Sequence, residues 1–178
     1  SWLNASLWET FALSINAELY GSSLMARQNL GLREVFDEGD RRLDEKILIL
    51  KLHPGIRFIE FGTRRRFNQP WQAHVTSRLA TEVPNQLLGT SNVLLAKQLG
   101  IKPVGTFAHE LYMALYGFHY HNRPPVSSQD DVLTLWWEMY GPPLSIALTD
   151  TYTTNFFFER FGVFARDWNG LSHDDGPT

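Results

Sequence analysis

The sequence predicts an α/β fold in which parallel strands alternate with helices, preceded by a helical segment. A unit of strand, loop and helix repeats about four times after Arg57, which is typical of parallel strands joined by right-handed crossovers. Several apolar runs end abruptly in small, hydroxylated or charged residues, as strands do where their carboxyl ends carry a site. Four such units make roughly half of an eight-strand barrel, so we expect part of a barrel.

The composition is that of an ordinary globular chain. Its 178 residues are 43% hydrophobic and 20% charged, which is enough for one domain with a core. The net charge of −3 indicates no overall attraction to nucleic acid or anionic membranes, so we expect neither as a partner. The chain has no cysteine, which excludes disulfides and thiolate metal sites and fits the cytoplasmic location that we expect.

Two parts are predicted, a helical N-terminal segment over residues 1–46 and a partial α/β-barrel domain over residues 47–178. The chain opens inside an amphipathic pattern and closes on the polar segment Gly170–Thr178. We therefore expect either a piece of a longer protein or a shortened relative of one. No apolar run reaches transmembrane length, and the first residues lack the basic start of a signal peptide.

The first part contains the longest predicted helix. Apolar residues recur every fourth position along Trp2–Arg27, which predicts a helix. The charged stretch Gly31–Glu45 should end in a short helix, and the apolar run Ile47–Leu52 predicts a short strand. His53-Pro54-Gly55 predicts a turn, and Arg57–Phe61 predicts a strand.

The remaining elements alternate between helices and strands. Apolar periodicity predicts the helices, and Pro124-Pro125 predicts a loop over Tyr120–Ser128. The predicted helices are Trp71–Val83, Asn92–Leu99, His109–Gly117, Asp130–Tyr140 and Thr153–Phe161. The strand-like runs are Gln86–Leu88, Val104–Thr106 and Leu144–Leu148.

Three adjacent arginines follow the strand Arg57–Phe61, in the segment Phe61–Arg66. Guanidinium groups bind phosphate through paired hydrogen bonds, so Arg64 and Arg65 are candidate polyphosphate ligands. Neighbouring side chains point in different directions, and at most two of the three should reach one ligand. A solvated basic turn is the alternative interpretation.

The segment Gly89-Thr90-Ser91-Asn92 precedes a predicted short helix. Its N–H groups and hydroxyls suit an anion. Capping of the helix by Ser91 or Asn92 is the alternative, and the two roles can coexist.

The segment Gly105–Glu110 places His109 at the start of a helix, just beyond a strand-like run that ends at Thr106. Neutral histidine has a free ring nitrogen near pH 7 and can act as a nucleophile towards a phosphoryl group. Glu110 could orient the ring or help to hold a metal. A capping or core histidine is the alternative interpretation.

Asp150 follows the apolar run Leu144–Leu148. An aspartate at such a strand end can bind Mg²⁺–phosphate or ribose hydroxyls, and capping of the helix Thr153–Phe161 is equally compatible with its spacing. His119-Tyr120-His121 is interpreted as part of a loop, so no resident metal site is predicted.

Together these motifs resemble the nicotinate phosphoribosyltransferase family over almost the whole chain. The most specific parts are Phe61–Arg66 followed by Trp71-Gln72, then Gly89–Asn92, then Gly105–Glu110. The resemblance implies an irregular α/β barrel of the type II phosphoribosyltransferase kind, assembled as a homodimer. It also implies the joining of nicotinate to phosphoribosyl pyrophosphate in the salvage route to NAD.

The resemblance also implies residue roles. The family histidine that matches His109 is phosphorylated by ATP, and hydrolysis of the phosphohistidine drives the reaction, with Mg²⁺ on the phosphates. Taken with the strand-end motifs, the resemblance implies that His109, Glu110 and Asp150 are catalytic residues. The substrate-binding group is Arg64, Arg65, Thr90, Ser91, Asn92, Thr106 and Asp174.

The chain departs from the family pattern near its end. Ser172 stands where the family has arginine, Asp175 replaces a serine, and Pro177 replaces an aspartate, whereas Asp174 matches. These departures and the chain length favour an alternative function. It is a repurposed relative without transferase activity, which binds a pyridine-type or phosphorylated ligand or catalyses another reaction in the retained pocket.

Overall fold

The computed structural model describes residues 2–119 and 125–172, and its elements are helices and short parallel strands. The α/β character predicted from the sequence is therefore confirmed. The helices are α1 Trp2–Gln28, α2 Leu32–Leu52, α3 Gln69–Glu82, α4 Val93–Leu99, α5 His109–His119, α6 Pro125–Tyr140 and α7 Thr154–Phe161. The strands are β1 Phe58–Glu60, β2 Leu87–Thr90, β3 Ile146–Leu148 and β4 Gly170–Ser172, and short 3-10 helices lie at Gly62–Arg65 and Pro142–Leu144.

The chain divides into two compact units. The first unit is Leu7–Val104, and the second is Ser1–Ser6 together with Gly105–Thr178. Each unit contains one parallel pair of strands among its described residues, β1 with β2 in the first and β3 with β4 in the second. The parallel strands predicted from the sequence are confirmed, while the division near Ile47 stays a prediction.

In the first unit, a small apolar core holds α2 and α3 against the strand pair. Its buried residues are Leu43, Ile47, Leu79, Val83 and Leu87. Glu60, the last residue of β1, pairs with Thr90, the last residue of β2. The two strands therefore end at the same level and bring their following loops together.

Polar contacts also join α2 and α3. His74 Nε2 lies 2.6 Å from Asp40 Oδ1, and Arg78 donates to Asp44 over 2.7 Å. The hydrogen bond with His74 and the nearby Arg78 guanidinium lower the pKa of Asp40. These side chains are partly exposed, so each pair adds at most about 1 kcal/mol to stability.

The predicted strand Ile47–Leu52 is wrong, because these residues form the last turns of α2. Ile47 lies four residues after Leu43, and both are buried. By contrast, Leu48 and Leu52 are exposed. This is the burial pattern of one face of a helix, which a continuous apolar run conceals. The short helix predicted at the end of Gly31–Glu45 is also wrong in length, because α2 is one long helix over Leu32–Leu52.

In the second unit, an aromatic core surrounds β3. Its buried members are Phe107, Tyr112, Val132, Leu133, Ala147, Leu148, Phe157, Phe161 and Trp168. The predicted loop Tyr120–Ser128 is wrong from Pro125 onward, where α6 begins, because proline is tolerated in the first turn of a helix. Residues 120–124 lie outside the described residues.

Among the residues that the structure describes, no helix has both the length and the apolar character needed to cross a membrane.

Gly89 allows a close backbone approach at β2. Its φ is +154°, and a Cβ placed on it would lie 2.2 Å from the carbonyl oxygen of Lys102. That carbonyl accepts a hydrogen bond from Thr90 N, and Val104 N donates to Thr90 O. Any side chain at position 89 would therefore separate β2 from the segment that follows α4.

We predict that Gly89→Ala lowers the free energy of unfolding by about 3 kcal/mol or more, from strain and overpacking. The control is Gly117→Ala in α5, where a Cβ meets nothing within 4 Å; it should be neutral or stabilise by up to about 1 kcal/mol. Urea unfolding measures both. Equal small effects of the two substitutions would contradict the close approach.

Candidate functional site

The ends of β1 and β2 are joined by hydrogen bonds to one carboxylate. Thr90 Oγ1 donates to Glu60 Oε2 over 2.6 Å, and Gly62 N donates to Glu60 Oε1 over 2.6 Å. Ser91 N donates to the backbone oxygen of Glu60 over 2.9 Å. Glu60 thereby fixes the start of the Phe61–Arg66 segment, which we call the arginine segment, against Gly89–Asn92.

Gln72 of α3 forms hydrogen bonds with both of these segments. Its Nε2 donates to Thr63 Oγ1 over 2.8 Å and to the Glu60 carboxylate over 3.2 Å. Its Oε1 accepts from Asn92 and from Arg66, each over 3.4 Å. Only 4% of Gln72 is exposed, so this network is set inside the unit.

Two of the three arginines contact helix α1. Arg64 NH1 donates to Glu9 Oε1 over 2.5 Å, and Arg66 Nε donates to Glu18 Oε1 over 2.8 Å, so both contact carboxylates of α1. Arg65 is exposed. The expectation that at most two of the three reach one ligand stays a prediction, as does their role in phosphate binding.

The Gly89–Asn92 segment ends in a helix cap. Asn92 Oδ1 accepts from Leu95 N over 3.1 Å at the start of α4. Thr90 is fully buried and also accepts from Asn92 N over 3.0 Å. The capping interpretation is therefore confirmed for Asn92, and the substrate-binding roles of Thr90, Ser91 and Asn92 stay predictions.

In the second unit, His109 lies between two carboxylates. His109 Nδ1 is 3.7 Å from Asp150 Oδ2, and His109 Nε2 is 3.7 Å from Glu110 Oε1. Their side chains are 25%, 19% and 16% exposed for His109, Asp150 and Glu110. These distances exceed a hydrogen bond, so the carboxylates flank the imidazole at ion-pair range. The structure thus brings the three predicted catalytic residues together.

Asp150 does not cap α7. Thr153 does so, because its Oγ1 accepts from Phe156 N over 3.1 Å. Asp150 Oδ1 is buried and has no hydrogen-bond partner among the described residues. Of the two interpretations of Asp150, the structure removes the capping role. Thr106 donates its hydroxyl to the carbonyl of Ile146 in β3, and Asp174 lies outside the described residues.

Two more polar groups lie unpartnered near Asp150. The hydroxyls of Tyr112 and Thr151 are buried without a hydrogen-bond partner in the described part of the chain. Burial raises the pKa of Tyr112, and the negative charge of Asp150 raises it further. Tyr112 therefore stays a protonated donor at neutral pH.

The sequence reasoning missed Glu60 and Tyr112, and it noticed Gln72 only as part of a motif. Glu60 carried one usable signal, because it is a charged residue at the end of an otherwise apolar strand. Tyr112 lies three residues after His109, on the same side of α5. Gln72 carries no signal of its own among the other polar residues of α3.

The sequence model of the Nicotinate phosphoribosyltransferase (NAPRTase) family matches residues 56–178, which is more than half of the chain. The chain belongs to this family.

Named relatives agree. The chain is 40% identical to nicotinate phosphoribosyltransferase of Chromobacterium violaceum and 38% identical to that of Acinetobacter baumannii, in each case over 98% of this chain. It covers 44% and 43% of those proteins. The chain therefore spans less than half the length of the curated relatives it matches.

Solved structures also match. The crystal structure of nicotinate phosphoribosyltransferase from Porphyromonas gingivalis superposes with a TM-score of 0.74 at 29% identity, over 97% of this chain and 42% of that one. The crystal structure of the Vibrio cholerae nicotinate phosphoribosyltransferase gives 0.72 at 31% identity, over 96% and 40%. These matches agree with the mixed helix and strand fold described above.

We predict that Tyr112→Phe leaves the free energy of unfolding unchanged or raises it by up to about 1 kcal/mol, because it removes a buried, unpaired hydroxyl. The control is Tyr152→Phe, which breaks the 2.6 Å hydrogen bond with Ser128 and should cost about 1–2 kcal/mol. Denaturant unfolding of both variants measures the difference. A loss above about 1 kcal/mol for Tyr112→Phe would show that its hydroxyl is bonded.

Proposed function

We propose that this chain carries part of the site of a nicotinate phosphoribosyltransferase. The observation that carries the proposal is that His109, at the start of α5, lies between Glu110 and Asp150, which follows β3. In the proposed reaction the ring nitrogen of nicotinate attacks C1 of phosphoribosyl pyrophosphate. The bond from C1 to the pyrophosphate oxygen breaks, and nicotinate mononucleotide and pyrophosphate leave.

We propose substrate-binding residues in each unit. Arg65 and Arg64 offer guanidinium groups to the pyrophosphate, with Arg64 exchanging its bond to Glu9 for one to phosphate. Ser91, beside Thr90 and Asn92, offers a hydroxyl. In the second unit, Thr106 and Asp174 complete the proposed substrate-binding group, and Asp150 takes ribose hydroxyls or Mg²⁺–phosphate.

ATP coupling is proposed to run through His109. The lone pair of one imidazole nitrogen attacks the γ-phosphorus of ATP, the bond to the bridging oxygen breaks, and ADP leaves. The ring then carries the phosphoryl group until water displaces it and inorganic phosphate forms. Glu110 and Asp150 face the two ring nitrogens, so each can orient the imidazole and accept its remaining proton.

Asp150 also fits the Mg²⁺ that the family chemistry implies. Its Oδ1 is buried without a partner in the described residues, and carboxylate oxygen is the ligand type that Mg²⁺ prefers. When bound, the ion would neutralise phosphate charge. Glu110, whose carboxylate is also largely buried, is the second oxygen ligand that we propose.

We further propose an irregular α/β barrel, a homodimer and a cytoplasmic location. Two parallel strand pairs support the barrel. A stripe of exposed apolar side chains on α1 supports self-association, since such faces mark interaction surfaces. The stripe consists of Leu7, Trp8, Phe11, Ile15 and Leu19. The proposed use of ATP is consistent with this location.

One observation favours the alternative of a repurposed relative without transferase activity. Ser172 ends β4 in register with Leu148 of β3, and its carbonyl accepts from Thr149 N over 3.3 Å. The position where the family has arginine therefore lies beside the strand end that leads to Asp150. We propose that the serine at this position removes a guanidinium close to the site.

We predict that ATP labelled at the γ-phosphate leaves an acid-labile, base-stable phosphoryl group on His109. His109→Asn should abolish the label without unfolding the chain, since asparagine is a good residue at a helix start. His53→Asn, at an exposed histidine that follows α2, is the control and should keep the label. Scintillation counting and peptide mass spectrometry measure the label, and chromatography measures nicotinate mononucleotide.

The two functions give different results in this experiment. Label on His109 together with nicotinate mononucleotide supports the transferase. If the wild-type chain takes up no label and forms no product, the transferase proposal fails and the repurposed relative becomes the better account.

A further inference from the structure

We infer that Gln72 is a positioning residue, which holds the arginine segment and Gly89–Asn92 in the single geometry that binds phosphate. The inference rests on the proposed function, because phosphate binding at these segments is part of it. Gln72 itself is buried and does not touch the ligand. It acts through Thr63, Arg66 and Asn92, the side chains that it bonds.

The nitrogen and the oxygen of the Gln72 amide have different hydrogen-bond partners. Nε2 donates to Thr63 in the arginine segment and to Glu60 at the end of β1, whereas Oε1 accepts from Asn92 and Arg66. Asn92 Nδ2 also donates to Thr63 Oγ1 over 3.2 Å. Gln72, Thr63 and Asn92 therefore form a closed triangle between the two segments. The amide offers a donor and an acceptor on one planar group, whereas an ionised glutamate of the same length only accepts.

Helix α3 holds the Gln72 corner of the triangle. Gln72 lies in the first turns of α3, where Asn68 caps the helix by accepting from Trp71 N over 2.8 Å. The next turn is bonded to it as well, because Thr76 Oγ1 donates to Gln72 O over 2.7 Å. Loops that bind ligands are precise when side chains from such elements hold them.

A purely structural role would not require this pattern. Gln86 provides the comparison, since it is also a glutamine of the first unit and is 5% exposed against 4% for Gln72. Within the described residues, its Nε2 donates to the backbone oxygens of Leu50 and His53. Gln86 stabilises the turn after α2, whereas Gln72 joins two candidate binding segments.

The test compares Gln72→Met with Gln86→Met, using calorimetry with phosphoribosyl pyrophosphate and Mg²⁺. Both substitutions remove a buried amide of the same size, so both should lower the unfolding midpoint. Gln72→Met should also weaken binding by about ten-fold or more, a size typical of lost buried hydrogen bonds. Gln86→Met should bind within about two-fold of wild type, as substitutions outside a site do.

Gln72→Glu adds a readout that stability alone does not move. An ionised glutamate cannot donate to Thr63 and lies against the Glu60 carboxylate, but a protonated one regains an O–H donor. Its affinity relative to wild type should therefore be poor at pH 8 and recover towards pH 5.5. The affinity of Gln72→Met relative to wild type should not change over the same pH range.

The outcomes separate this inference from the proposed function. If wild type binds no phosphoribosyl pyrophosphate, both fall. If wild type binds it but Gln72→Met and Gln86→Met weaken binding equally, or the Gln72→Glu ratio does not change with pH, Gln72 is only structural and the proposed function stands. Selective weakening with pH-dependent recovery supports the positioning role.

Discussion

The hydrogen bonds to the Glu60 carboxylate are the interaction on which the first unit's candidate site depends. A carboxylate at the end of β1 would be costly to bury without partners, and it receives bonds from Gly62, Thr90 and Gln72. Each bond fixes a different part of the chain: the arginine segment, the end of β2 and the helix α3. Without this acceptor, three donors would lose a common partner, and only the backbone bonds and the Gln72 triangle would join the two segments.

The constraint at Gly89 acts on the same site. Its backbone lies against Lys102, so β2 is held on one side by β1 and on the other by the bridge between Thr90 and Pro103. Thr90 can then be fully buried while its hydroxyl bonds Glu60. Backbone packing and the polar network therefore require each other.

In the second unit, apolar packing positions His109 and Asp150. Tyr112 and Leu148 belong to its buried core, and they come from the elements that carry His109 and Asp150. Fixing α5 and β3 in this core brings the imidazole to ion-pair range of the carboxylate. The remaining polar atoms of Asp150 and Tyr112 are buried without partners in the described residues, which is typical of sites that bind a polar group.

Much of this arrangement could be predicted from the sequence. The helical periodicity located α3, α5 and α7. The abrupt ends of apolar runs located the end of β3 before Asp150 and, approximately, the end of β2 at Thr90. The strand predicted at Ile47–Leu52 was wrong, because an unbroken apolar run conceals a helical period. It also left the choice between a capping and a site role for Asp150 open, since both fit the spacing before α7.

The side-chain partners could not be predicted, because they lie far apart in the chain. Arg64 and Glu9 are 55 positions apart, and Thr90 and Glu60 are 30 apart. Such pairs are determined by packing of elements and not by local pattern. For the same reason Gln72 became visible as a central residue only in the structure.

The most direct test of this account is a titration of the ¹⁵N-labelled chain with phosphoribosyl pyrophosphate and Mg²⁺, followed by amide chemical shifts. The account predicts that the largest changes occur at Thr63–Arg65 and at Ser91 and Asn92, where the network holds the two segments. Largest changes in the apolar groove lined by Phe36, Trp71 and Leu79, or no saturable change anywhere, would contradict it.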